Sequence, residues 1–224
     1  NNELTAKYTI YHVNDSVSQL FYNISNEALL YKKTDTSTFY YSHVKVLVKV
    51  SAEDNLDVVS DTGSVIIIDK QVDAVVKQLK GSFLFKLKKG FNFYIDVNVI
   101  DINKKTIYTH NEFSNKSSIE SRQNFLITNS RNEVLFSSYY KQDEVVYVQS
   151  QRNQEKFYEV DYFKSSFKLA LPPFSLEQMG RFSYKPDSTF SVYEKDNKIE
   201  LALPQKGFFH LKTNNETKDG VTFF

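Results

Sequence analysis

Cysteine and tryptophan are both absent from the 224-residue chain. Without cysteine there are no disulfides, thiol nucleophiles or thiolate metal sites. The compartment stays open, because a disulfide-free chain suits a cytosol or a periplasm. Without tryptophan, tyrosine and phenylalanine must supply any stacking platform for sugar rings or quaternary ammonium groups. Six glycines are too few for a phosphate-cradling loop, and no GxGxxG turn, P-loop or GxSxG elbow is present. Charge of one sign is lacking too: 28 Lys+Arg stand against 27 Asp+Glu, a formal net charge of +1. That balance argues against a nucleic-acid partner. No apolar run approaches the roughly 20 residues of a membrane helix. Asn1 to Lys7 lack the apolar region of a signal peptide, so a mature or trimmed product is expected.

What is present is enough for a core: 41% hydrophobic residues, among them 19 Phe and 15 Tyr. Their spacing is that of half-buried strands, with apolar and polar residues alternating. Phe91, Phe93, Ile95, Val97 and Val99 alternate with Asn92, Asp96 and Asn98, and Phe91, Phe93, Ile95 and Val97 are expected to face inward. Val44 to Val50, Phe83 to Leu87, Tyr158 to Tyr162 and Ile199 to Leu203 repeat the pattern. Asn103-Lys104 and Asp196-Asn197, between such runs, predict antiparallel hairpins because Asn and Asp tolerate positive φ. Val72, Val75, Val76 and Leu79 have helical spacing over too short a stretch to outweigh their β-branched character.

One-sided strands must bury their apolar faces against a second sheet. The expected fold is all-β, with two tandem antiparallel β-sandwich domains of immunoglobulin or fibronectin III type. The polar stretch Ser114-Asn115-Lys116-Ser117-Ser118 places their boundary, giving residues 1–115 and 116–224. All four Arg and all four Pro lie beyond Lys116. The apolar end Val221-Thr222-Phe223-Phe224 leads us to expect further protein after it.

No residue pattern predicts a catalytic, cofactor or metal site. His12, His43, His110 and His210 form no HxH or HxxxH pair and read as ordinary strand histidines. Glu53-Asp54-Asn55-Leu56-Asp57 with Asp61 lacks the EF-hand order and reads as a solvated loop. Asp143-Glu144 reads as a turn. Adjacent aromatics recur at Phe39-Tyr40-Tyr41, Tyr139-Tyr140 and Phe208-Phe209. Strand neighbours point to opposite faces, so each cluster should leave a ring outside its own core, where it covers a neighbouring sheet or meets a partner.

Lys7 to Ser16, Ser25 to Lys32, Gln123 to Leu126, Ala170 to Ser175 and Gly207 to His210 together resemble the N-terminal region of the GWxTD-domain proteins of Bacteroidota. The resemblance covers most of the chain, but the naming motif is absent because there is no Trp. It implies an exported, extracytoplasmic envelope protein associated with the outer membrane. Any lipid anchor would lie outside this chain, since the anchoring Cys is not among these residues. The resemblance also implies possible O-glycosylation at Ser16 and Ser188, in Asp15-Ser16-Val17 and Asp187-Ser188-Thr189. The expected function is a non-catalytic accessory or adaptor subunit of an outer-membrane protein assembly. Its partner would be another envelope or outer-membrane protein, met through Phe39, Tyr40, Tyr41, Tyr139, Tyr140, Phe208 or Phe209. A glycan-binding envelope module is the alternative, and it would need exposed Tyr or Phe on one sheet face or loop cluster.

Overall fold

The computed structural model describes residues 4–117, 121–137, 139–150, 157–164, 185–212 and 220–223, with the backbone alone at Phe157 and at 220–223. The expected Ala170 to Ser175 segment lies outside them. Every regular element among them is a strand, apart from two single turns of 3₁₀ helix at Asn26–Ala28 and Arg122–Asn124. The helical spacing at Val72, Val75 and Val76 belongs to a loop instead. The chain divides into two compact units, Asn1–Leu126 and Ile127–Phe224.

The first unit contains β1 (Ala6–His12), β2 (Val17–Ser25), β3 (Lys32–Lys33), β4 (Tyr40–Ala52), β5 (Asn55–Gln71), β6 (Gln78–Lys86), β7 (Asn92–Asp101) and β8 (Thr106–Asn115). Strands β1, β2 and β6 form one antiparallel sheet in that order. In the second sheet β4 pairs with β5 on one side, with β7 over Val44–Ala52, and with β3 at Tyr40 and Tyr41, while β8 closes the far edge beside β7. Period-2 alternation decides which side chains meet. Ile10, Leu20, Tyr22, Ile24 and Phe85 from the first sheet share one buried cluster with Val44, Val46, Val48, Val50, Phe93, Ile95, Val97 and Val99 from the second. β-branched residues dominate because they fit the pleated surface with little loss of χ1 freedom. Burying each contributes roughly 1.5–3 kcal/mol before entropy is subtracted. Phe91 departs from the expectation. It precedes β7 and is 48% exposed, because the inward row begins only where β7 pairs.

The first unit runs past residue 115, and Lys116 provides the reason. The stretch expected to be a linker sends this side chain inward to 0% exposure. Its Nζ donates to Val17 O, Ser18 Oγ and Leu87 O at 3.1, 3.1 and 2.7 Å. Gln123, Asn124, Phe125 and Leu126 are buried in turn.

The second unit holds β9 (Leu126–Thr128), β10 (Val145–Gln149), β11 (Phe157–Phe163), β12 (Ser188–Lys195), β13 (Lys198–Ala202), β14 (Phe208–Lys212) and β15 (Gly220–Phe223). They follow the order β15-β14-β11-β12-β13-β10-β9. β12 pairs with β11 up to Tyr193 and with β13 only at Glu194 and Lys195. Val146, Val148, Tyr158, Val160, Tyr162, Ile199, Leu201, Phe209 and Leu211 are buried. Asp196 and Asn197 take φ of 53° and 61°, the two left-handed residues of the expected hairpin.

Candidate functional site

A bare apolar surface of the first unit lies on β5 and its sheet. Ser64-Val65-Ile66-Ile67-Ile68 is an unbroken apolar run after its serine, the pattern of a strand covered on both faces. Only one face is covered. Val65 and Ile67 pack against the core, while Ile66 and Ile68 stand 58% and 61% exposed. Register continues this band across the sheet: Ile66 pairs with Lys45, Lys45 with Ile100, and Ile100 with Ile107. Ile107 is 64% exposed. At the other end of the same face Tyr94 meets Phe113 edge-on at 5.3 Å.

β5 is also an edge: among the described residues β4 is its one paired neighbour, while Phe83 and Phe85 of β6 lie against Gly63 and Lys86 N donates to Asp61 Oδ2. Register slips between Val50 and Ala52 of β4, a bulge that bends the Asn55–Ser60 end and leaves Leu56, Val58 and Val59 exposed.

The sequence-predicted aromatics divide by environment. Phe39 and Tyr40 lie at the β3 end of this sheet, with Lys70 Nζ 3.5 Å from the Phe39 ring centre and Lys33 Nζ 5.7 Å from that of Tyr40. Tyr41 is half-buried, and its carbonyl accepts from Asn103 Nδ2 at 2.8 Å. In the second unit Tyr139 is exposed and Tyr140 half-buried, its hydroxyl donating to Ser137 O. Phe208 is half-buried. Phe209 is a core residue, 2% exposed and 5.0 Å from the Tyr162 ring, which removes it from the contact candidates. Ser16 and Ser188 are both exposed, in the β1–β2 turn and at the start of β12.

Polar clusters were the places to look for chemistry. His12 Nδ1 lies 2.8 Å from Ser18 Oγ, and Ser114 Oγ lies 3.4 Å from His12 Nε2. A Ser–His pair is the usual start of an activated nucleophile. Here His12, Ser18 and Ser114 are all at 0% exposure, so no substrate reaches the hydroxyls, and the network joins β1, β2 and β8 through Lys116 and Gln123. A second cluster sits under the β5–β6 loop. Tyr31 donates to Asp69 Oδ2 at 2.5 Å, and Lys77 pairs with the same carboxylate. Burial, followed by the Asp69 carboxylate, pushes the Tyr31 hydroxyl well above the usual tyrosine range. Burial works to raise Asp69, but hydrogen bonds from Lys77 and Tyr31 outweigh it and hold the carboxyl below its ordinary value. Asn26 ties the loop down, donating to Val75 O at 2.9 Å and accepting from Lys77 N at 2.8 Å. Among the described residues no three His, Asp or Glu side chains gather to hold a metal ion.

The second unit has a cleft of about 600 Å³ on the outward face of β10, β13 and β12. Tyr147, Tyr193, Lys195, Lys198, Glu200 and Asn132 line it. No sequence motif marks these residues, although period-2 alternation puts Tyr147 between inward Val146 and Val148. No protein-family model, curated protein or solved structure matches this chain.

Proposed function

We propose that the chain is a non-catalytic interaction module, an accessory or adaptor subunit of an outer-membrane protein assembly in a bacterial envelope. The β5 side of the first unit is its docking surface. The observation that carries this reading is β5 itself, a 17-residue edge strand with one paired neighbour among the described residues and exposed isoleucines on its outer face. Such an edge is a template for strand addition: backbone groups supply affinity, and alternate side chains supply selectivity. The band from Ile68 to Ile107 offers apolar anchors beside it. The envelope setting rests on the sequence resemblance to GWxTD-domain proteins. An Ig or fibronectin III type for the first unit is supported by a three-stranded β1-β2-β6 sheet packed on a sheet ordered β5-β4-β7-β8.

The test is affinity purification of the native protein from gently solubilised membranes, in the wild type and in an Ile66→Lys/Ile68→Lys double variant. Both side chains are solvent-exposed, so stability should change by no more than about 0.5 kcal/mol per site. The wild type should retrieve a stable membrane protein, and the folded variant should lose it. Retrieval of nothing by the wild type, or full retrieval by the variant, rejects this reading.

A further inference from the structure

We propose that the outward face of β10, β13 and β12 in the second unit binds a neutral saccharide. The inference stands apart from the adaptor reading, since it uses other residues in another unit. The register defines the site. Tyr147 on β10 pairs with Glu200 on β13. Tyr193 on β12 precedes Glu194, where the pairing with β13 begins, and lines the same cleft as Tyr147 and Glu200. The two tyrosine rings give the cleft apolar surface of the kind a pyranose ring packs against. Tyr193 is 73% exposed, an unusual amount of ring to leave in water on a sheet face.

The remaining lining selects the ligand class. Lys195 and Lys198 are balanced by Asp196 and Glu200 around the cleft, so the site has no net field for a phosphate or a polyanion. Donors and acceptors are instead interleaved: Glu200 accepts, Lys195 donates, and Asn132, which already accepts from Lys198 Nζ, has an amide left to donate. Hydroxyl-rich rings with apolar faces need that combination. β13 is paired with β10 along Ile199 to Ala202 and with β12 at Lys198 and Ile199. The side chains and ring faces that line the cleft are the recognition surface.

The experiment is calorimetric and NMR titration of the whole 224-residue chain with cellohexaose, xylohexaose, maltohexaose and mannohexaose, and with heparin and trilysine as charged comparators. At least one neutral saccharide should bind, with amide shifts confined to 130–132, 147 and 193–200. Tyr193→Ala should weaken binding about tenfold or more, and Glu200→Gln should weaken it without changing the far-ultraviolet circular dichroism. Tyr193→Phe should retain it. The proposal is overturned if no saccharide binds at about 10 mM, if Tyr193→Ala binds as well as wild type, or if heparin or trilysine is preferred. Recovery of the membrane partner by Tyr193→Ala should be unchanged, which keeps this test separate from that of the adaptor reading.

Discussion

Single residues account for most of what composition could not reveal. Lys116 looks like a solvated linker lysine, yet its ammonium satisfies three acceptors inside the first unit. Lys116→Ala leaves two buried carbonyls and a hydroxyl without that donor, and should cost about 3 kcal/mol in urea denaturation. A loss below 1 kcal/mol would show that water takes over the role. The Tyr31–Asp69–Lys77 cluster predicts two limbs in the pH dependence of stability. Asp69 is held below its reference value of 3.8 in the folded state, so its contribution is complete above that pH and is lost as pH falls through the folded value. Tyr31 is raised above 10.0, so its contribution is complete below pH 10 and is lost as pH climbs beyond it. Asp69→Asn should flatten the acid limb and Tyr31→Phe the alkaline one, read from urea midpoints across pH 2 to 11. An acid limb identical in Asp69→Asn would assign it to other carboxylates.

At the scale of elements, turns and strands differ in how far local chemistry specifies them. The β12–β13 hairpin places both Asp196 and Asn197 at positive φ, which Asn and Asp tolerate and β-carbon-bearing residues otherwise resist. Asn197→Ala should therefore destabilise the second unit by about 1 kcal/mol, while Asn197→Gly should not. Equal stability of the two variants would contradict the role assigned to this turn. β5 behaves differently. Its run Val65 to Ile68 is equally suited to a strand buried on both faces, and no local feature says which face is bare. That is decided by β4, whose pairing turns Ile67 inward and Ile68 outward.

For the whole molecule, the chain divides into two compact units at 126/127. A fragment of residues 1–126 should give a dispersed amide spectrum and cooperative unfolding. A fragment of residues 1–115 should not, because it lacks Lys116 and the buried Gln123 to Leu126 segment. A well-folded 1–115 fragment would show that this segment is dispensable.

The sequence by itself determined the all-β character, the inward rows from Val44 to Val50 and Phe93 to Val99, and the left-handed turn at 196–197, whereas in the β7–β8 hairpin the positive φ falls on Lys105 and not on Asn103 or Lys104. Alternation and left-handed tolerance are properties of a few neighbouring residues, so they can be read without knowing the fold. Burial of Lys116 and Phe209, exposure of Ile66 and Phe91, and the gathering of Tyr147, Tyr193 and Glu200 around one cleft depended on which strands pair and in what register. The contacts that follow join residues as much as 102 positions apart, as His12 and Ser114 are. Only the tertiary structure could decide them, because the same side chain is core or surface according to what lies across from it.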